Sequence, residues 1–330
     1  MNVAVVILNW NGKQLLERFL PSVVAFSHEA TIYVADNAST DDSVNFIKNH
    51  FPTVKILQNK SNGGYAKGYN DALKNLNEDI FVLLNNDVEV TQNWLPPVLE
   101  IFKTQTNVLA VQPKIMSYKN KSNFEYAGAA GGFIDMFGYP FCRGRIFNTL
   151  EEDTGQYNKN LPVFWASGAC FFVRKKAFWQ VHGFDEDLFA HQEEIDLCWR
   201  MQIHGGSIYY CYASKVYHLG GGTLQSSNPK KTFYNFRNSL LLLLKNTKKS
   251  TVWFLLFVRL LLDGLAGLVF LLKLKPRHFF AIVQAHFSFY RLVPKFLGKR
   301  KKNTTHFKYY KVKSIVWDYY IKRKRIFSKL

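Results

Sequence analysis

Cysteine is scarce: only Cys142, Cys170, Cys198 and Cys211 occur in 330 residues, with no CxxC pair and no histidine at zinc spacing from them. That argues against a disulfide scaffold or a structural zinc site and predicts four reduced, mostly buried thiols, as suits a cytoplasmic compartment. No G-x-G-x-x-G turn follows the first apolar run, which disfavours a dinucleotide-binding enzyme. No export signal is visible, because Val3–Leu8 is too short, lacks a basic lead and has no cleavage site. Acidic residues are nearly missing from the C-terminal part. From Lys245 onward there are 21 Lys or Arg but only Asp263 and Asp318, so this stretch carries the whole net charge of +19. The preceding residues hold 22 basic and 22 acidic groups and are neutral. The chain therefore reads as a neutral body with a strongly basic tail, not as a uniformly basic surface.

What is abundant is apolar and aromatic: 48% and 16% of residues, enough for a large core. In the first half, short β-rich runs alternate with helical spacing. Strands are expected at Val3–Leu8, Thr31–Ala35, Val54–Gln58 and Ile80–Leu84, with helices at Lys13–Phe26, Thr40–His50 and Tyr65–Leu76. Such alternation implies an α/β fold with parallel pairing, and ligands that bind beyond the carboxyl ends of the strands. Further on, Val163–Val173 reads as strand, Glu193–His204 as helix, and Ile208–Tyr212 and Lys215–His218 as two short strands.

Polar clusters stand at those strand ends: Asn9–Gly12, Asp36–Asp41, Asn62–Asn70 and Asn85–Asp87. Each alone suits a turn or a helix cap. Together they should converge on one edge of the sheet. Asp87 follows a buried strand directly, and a carboxylate there is well placed to hold Mg²⁺ or Mn²⁺ against a diphosphate. Glu193, Glu194 and Asp196 open a helix, where acids favour the dipole; clustering would also raise one pKa toward that of a general base. His218 ends a strand before Gly220-Gly221-Gly222 and has the chemistry of a metal ligand.

The runs VVILNWNG, VADNASTDDS, NGGYAKGYN, LLNNDVEV, SGACFFVRKKAF, GFDE, EEIDLCWR and VYHLGGG carry a resemblance. From Val3 to Leu244 the chain resembles the family 2 glycosyltransferases of GT-A fold, and most of all their rhamnosyltransferase-like branch in bacterial polysaccharide assembly. The resemblance implies that Asp36 contacts the donor's base, that Asn9 lies near the nucleotide, and that Asn62, Gly63, Lys67 and Asn70 line the nucleotide and diphosphate. It implies that Asn85 and Asp87 close a DxD-like metal motif, with Asp87 and His218 as metal ligands. Ser167, Gly168 and Ala169 would floor the sugar site, with Asp196 and Arg200 on the sugar and acceptor side. The family usually has Glu-Asp where this chain has Glu193-Glu194; Glu194 is the expected base and Glu193 the alternative. The QxxRW motif of processive synthases is not apparent, so transfer of single sugars with inversion is expected. The implied donor is a UDP- or dTDP-sugar such as dTDP-rhamnose, and the implied acceptor a lipid-linked glycan or polysaccharide precursor.

Two units are expected: a catalytic domain over 1–244, soluble and folded when separated, and a membrane-associated region over 245–330. Thr251–Leu272 is long enough to span a bilayer, but Arg259 and Asp263 would each cost about 2.5–3.5 kcal/mol at its centre. Together with Phe279–Leu297 and the basic runs Lys299–Lys302 and Lys322–Arg325, it fits helices lying on an anionic cytoplasmic membrane face; a span and a soluble packed helix are the alternatives. Nucleic-acid binding is a rival, but it leaves the apolar segment without a role. A nucleotidyltransferase is another, but Asn9–Gly12 is not a basic triphosphate loop.

Overall fold

A computed structural model describes residues 1–220, 228–300 and 307–330. Gly221 and Gly222 of the glycine run, and Lys301 and Lys302 of the first basic run, lie outside the described residues. Strands β1 (Val3–Asn9), β2 (Ala30–Asp36), β3 (Lys55–Gln58) and β4 (Ile80–Asn85) alternate with α1 (Lys13–Phe26), α2 (Ser43–His50) and α3 (Gly64–Leu73). The apolar run of β1 is buried on both faces, as a central parallel strand requires. The pairs β1–β2, β1–β4 and β2–β3 are parallel, with Asn9 opposite Asp36 and Leu8 opposite Asn85. Three polar strand ends are thus brought side by side by register alone.

The sheet continues through β5 (Val88–Val90), α4 (Pro96–Thr104) and β6 (Val108–Ser117). A small second sheet follows: β7 (Gly132–Ile134), β8 (Pro140–Cys142), β9 (Arg145–Ile146) and β10 (Thr149–Leu150). The chain then returns through β11 (Leu161–Val163), β12 (Cys170–Arg174), α5 (Lys175–Gln180), α6 (Glu193–Ile203) and β13 (Ser207–His218). Among the described residues the main sheet has the order β11-β13-β6-β12-β4-β1-β2-β3, with β5 on β13. Strands β11, β12 and β5 run antiparallel to their neighbours.

Two strand expectations change. Val163–Val173 is not one strand: β11 pairs at one edge and β12 lies between β4 and β6, so the chain must cross over, and Ser167–Ala169 lies in the crossing. Conversely, the two short strands at 208–218 are one strand, β13, whose register on β6 shifts between Cys211 and Lys215; the polar residues there mark a bulge rather than a turn. All four cysteines are buried free thiols.

The boundary expected at 244/245 is corrected. It falls inside α7 (Pro229–Asn246), which α8 (Val252–Leu272) and α9 (Pro276–Lys299) follow. Leu240–Leu244 of α7 and Phe289 and Phe296 of α9 belong to the same core as β1 and β4. Lys299 pairs with Asp185 at 2.5 Å, and Arg300 donates to the carbonyls of Leu244 and Thr247. The last segment, with α10 (Ile315–Tyr320), folds back onto the small sheet. Ile315 and Tyr319 pack with Phe141 and Ile146, and Phe327 stacks near Phe133 and Phe141. Buried Asp135 accepts from the backbone N–H groups of Phe137, Tyr139 and Ile315 at 2.9 Å each, and so pins the tail.

The C-terminal segment is therefore expected to contribute to global stability. Ile315→Ala should cost about 2–5 kcal/mol, the usual range for a buried Ile truncated to Ala. The readout is a lower urea midpoint at unchanged slope. An unmoved midpoint would return the tail to the status of an independent region.

Candidate active site

The carboxyl edge of β1, β2 and β4 is polar and buried. Asn9 accepts from Asn86 Nδ2 at 2.9 Å and faces Ser39 Oγ at 3.4 Å. Asp36 is fully buried; its Oδ2 accepts from Gln58 Nε2 at 2.7 Å and from the Ser39 N–H at 3.0 Å, while its Oδ1 has no partner. Asn62 Oδ1 accepts from Asn37 Nδ2 and from the Gly64 N–H, both at 3.0 Å, which sets the loop entering α3 behind Gly63. Gly64 sits at φ +73°, and a Cβ there would lie 2.8 Å from the Phe189 ring. Only glycine fits that approach.

Antiparallel pairing of β5 on β13 sets Val88 opposite His218 and so brings Asp87 to the imidazole. Asp87 Oδ1 is 3.1 Å from His218 Nε2, and Glu125 Oε2 is 3.3 Å from Nδ1. All three are buried. Burial alone would discharge His218, but the two carboxylates outweigh it and push its pKa up to about 10. Burial would raise Asp87 and Glu125, but the facing imidazolium and its hydrogen bonds hold both below the usual carboxylate range. The imidazole bridges the carboxylates; among the described residues no three His, Cys, Asp or Glu converge as a complete metal cage. A Mg²⁺- or Mn²⁺-type ion bound with a diphosphate does not need one, since phosphate oxygens and water complete its shell. Asp87 and His218 Nε2 suit that role once the ring gives up the proton that the two carboxylates hold on it, with Glu125 then orienting the ring from behind.

The second half of the site is the start of α6. Phe189, His191 and Gln192 all have φ between 63° and 70°, left-handed values rare for such side chains. This loop is clamped from α7. Asn238 Nδ2 donates to the carbonyls of Leu188, Ala190 and His191, and Arg237 to those of Asp187 and Leu188. Burial, then the neighbouring Glu194, holds Glu193 well above the carboxylate range. Burial pushes Glu194 up to about 7. Each has one buried oxygen, Oε2, without a partner. His191 is kept neutral, its pKa lowered to about 4 by burial and by nearby Lys231.

Tyr65 joins the halves. Its hydroxyl donates to the Gly168 carbonyl at 2.8 Å, next to Ala169, whose carbonyl takes the Asn85 N–H at 3.0 Å. Its ring lies in the field of Glu193 and Glu194. Ser167 shapes the crossing loop: its hydroxyl donates to Ala127 at 2.7 Å and its N–H to Gln112 at 2.9 Å. Among the described residues seven buried side-chain polar atoms lack a hydrogen-bond partner, and five lie here, on Asp36, His191, Glu193, Glu194 and His218, whose Nδ1 meets Glu125 as an ion pair without hydrogen-bond alignment. Folded proteins rarely tolerate such atoms outside functional sites.

The chain matches the model of glycosyl transferase family 2 over residues 4–182. It belongs to that family. It is 28% identical over 233 residues to the N-acetylglucosaminyl-diphospho-decaprenol L-rhamnosyltransferase of Mycobacterium tuberculosis, a match covering 65% of this chain and 75% of the relative. Its fold resembles that of the mannosyltransferase PcManGT from Pyrobaculum calidifontis in complex with GDP-Man and Mn²⁺, at TM-score 0.55, 11% identity and coverage of 88% and 87%. It also resembles GalNAc-T7 with UDP, GalNAc and Mn²⁺, at TM-score 0.53 and 17% identity; 66% of this chain covers 43% of that one, less than half its length. The fold is GT-A, and the protein is a glycosyltransferase enzyme.

Four expected site residues pair with protein groups, Lys67 only through an exposed contact and the other three through buried or part-buried ones. Lys67 pairs with Asp71 at 2.8 Å along α3. Asn70 fastens the loop before α6, donating to the Phe184 carbonyl and accepting from the Phe184 N–H, each at 3.0 Å. Asp196 is fully buried among Arg200 at 2.7 Å, Lys245 at 3.0 Å and Asn246 at 3.0 Å. Arg200 also donates to the carbonyls of Val181 and Gly183. Asp196 and Arg200 bind α6 to α7 and to the segment before α6. Reading the sequence missed Glu125, Tyr65, Asn238 and Lys231. Lys231 lies near Glu125 and Arg145, 5.7 Å from the centre of the Tyr126 ring, and makes no ion pair among the described residues. A polar Arg237-Asn238 pair opening onto five consecutive leucines was a usable signal that this face is buried.

Asp196→Ala is expected to cost about 3–5 kcal/mol, since it strands Lys245 and Arg200 in the interior. Chemical denaturation measures it. The folded fraction should keep an unchanged acceptor KM; a KM effect without a stability effect would restore Asp196 to the acceptor site.

Proposed function

We propose that the protein transfers one sugar, with inversion, from a UDP- or dTDP-sugar, dTDP-rhamnose foremost, to a hydroxyl of a lipid-linked glycan on the cytoplasmic face of a membrane. The unpartnered buried oxygens of Asp36 at the strand edge and of Glu193 and Glu194 at the start of α6 carry this reading. The name of the mycobacterial relative supports the donor and acceptor class.

The free Oδ1 of Asp36 is placed to accept an N–H from the donor's base. Asp87 and His218 would hold a divalent cation, Mn²⁺ or Mg²⁺, which when bound offsets charge on the departing diphosphate. Lys231 brings a second positive charge to the same side. Glu194, with a pKa near the working pH, accepts the proton of the acceptor hydroxyl on a carboxylate oxygen. The freed oxygen bonds to the anomeric carbon as the bond from that carbon to the phosphate oxygen breaks from the opposite face. The nucleoside diphosphate departs with that electron pair, and no covalent enzyme intermediate forms. Glu193, more strongly raised, stays protonated beside the base.

A panel of UDP-, dTDP- and GDP-sugars with Mn²⁺, read by thermal stabilisation, tests the donor assignment. A UDP- or dTDP-sugar should raise Tm, and turnover should release a nucleoside diphosphate. Release of pyrophosphate would favour a nucleotidyltransferase instead.

Glu194→Gln should lower kcat by about two to four orders of magnitude with little change in donor affinity. Because the raised carboxyl is protonated below its pKa, wild-type kcat/KM should fall as pH drops through about 7; the variant should lose that limb. A larger loss in Glu193→Gln would move the base to Glu193. Asp87→Ala should abolish transfer while leaving the melting curve cooperative, and excess chelator should mimic it; near-normal turnover in either case would remove the metal from the mechanism.

A further inference from the structure

Helix α8 has its polarity inside out. Its buried face carries Arg259 and Asp263, and its exposed face is apolar: Trp253, Phe254, Phe257, Leu261, Leu265 and Leu268. A helix facing water shows the reverse. The two charges are satisfied from the protein. Arg259 Nε donates to Asp263 at 2.7 Å, its Nη1 to the Phe137 carbonyl at 2.9 Å and its Nη2 to Ser239 Oγ at 2.7 Å. Its guanidinium lies 3.7 Å from the centre of the Tyr139 ring, and the Tyr139 hydroxyl donates to Asp263 at 3.1 Å. The middle of α8 is thereby fastened to the loop between β7 and β8 and to α7.

That attachment bears on how the helix meets a bilayer. Among the described residues α8 alone is long and apolar enough to cross one. A spanning helix could not keep its midpoint against Phe137, Tyr139 and Ser239, because those residues belong to the catalytic domain. Helix α9 extends the same surface. It crosses α8 closely at Gly267, where a Cβ would stand 3.1 Å from Phe279, and exposes Phe280 and Phe287 in its first half. Its second half returns to the domain, where Phe289 and Phe296 are buried and Lys295 and Lys299 pair with Asp187 at 2.6 Å.

The rim is cationic. Lys248 and Lys249 precede α8, and Lys273, Lys275 and Arg277 flank the turn into α9, all exposed. The one acid between residues 248 and 300 is Asp263, which is fully buried. An apolar face this extensive, edged only by positive charge and with Trp253 at its border, matches the acyl and headgroup layers of one anionic leaflet. A second copy of the chain would bring the same cationic rim against itself.

We infer that the α8–α9 hairpin lies in the plane of one anionic leaflet, with the Arg259–Asp263 pair locking it to the catalytic domain, so that the enzyme is monotopic and does not span. This deepens the membrane-side placement in the proposed function. Its test uses neither donor nor acceptor, and the fold is followed by circular dichroism and the melting curve, so either reading can fail alone.

Full-length protein is mixed with phosphatidylglycerol or phosphatidylcholine vesicles and sedimented. Binding should favour phosphatidylglycerol, fall only partly in high salt and be lost in detergent. The triple change Phe257→Glu, Leu261→Glu, Leu265→Glu should lower the bound fraction at least tenfold while the far-UV circular dichroism and a cooperative melting curve, which report the fold, are kept. Undiminished binding by that variant, or a vesicle-indifferent soluble dimer of the wild type, would overturn the inference. The span is tested with Ser250→Cys and Leu274→Cys, since the native thiols are buried. These positions bracket a helix about 30 Å long. In sealed membrane vesicles an impermeant maleimide should label both or neither; labelling of only one before detergent would mean that α8 crosses.

Discussion

A buried ionic junction holds the molecule together where its parts meet. Asp196 on α6 and Asp185 in the loop before it share Lys245 of α7, at 3.0 and 2.7 Å, while Arg200 and Asn246 complete Asp196 and Lys299 of α9 completes Asp185. Buried charges are costly unless every partner is present. Here the partners come from three helices distant in sequence, so the junction is satisfied only when α6, α7 and α9 are all docked. The burial cost thus becomes a constraint on geometry.

Two consequences follow for function. First, the N-terminus of α6 cannot drift, so Glu193 and Glu194 stay where burial raises their pKa values, behind a left-handed loop that Asn238 holds by three carbonyls. Second, the apolar hairpin leaves the domain at a defined angle, because the junction anchors both α7 and the returning end of α9. The proposed base, tuned by burial, and the proposed membrane-facing surface are thereby set relative to one another by the same few side chains. For the proposed lipid-linked acceptor that coupling is useful: its headgroup end must reach the base while its tail remains in the leaflet.

The donor side depends on a different constraint, strand register. Asn9, Asp36 and Asn85 are neighbours because three parallel strands end together, and Asp87 meets His218 because β5 pairs antiparallel with β13. These contacts need no special side-chain network; backbone hydrogen bonds place them. Glu125 then fixes the His218 ring from the far side, a role that depends on a loop after β6 and that no spacing announces.

The sequence alone determined the alternating strands and helices, the carboxyl-edge location of the polar clusters and the family. Periodicity and turn chemistry are local, and the motif residues lie within a few positions of one another. It also marked the C-terminal part as basic and apolar. It could not foresee the internal partners of Asn70, Asp196 and Arg200, because a polar residue within a motif looks the same whether it meets a ligand or a partner distant in sequence. It divided the chain at 244, because composition changes there, although packing does not. Only the tertiary structure decided that Arg259 and Asp263 turn inward and leave the apolar face outside, that the tail closes on the small sheet, and that Glu125 meets His218 and Tyr65 meets Gly168. Each of these is a pairing across long chain separation, settled by which partners can be desolvated together.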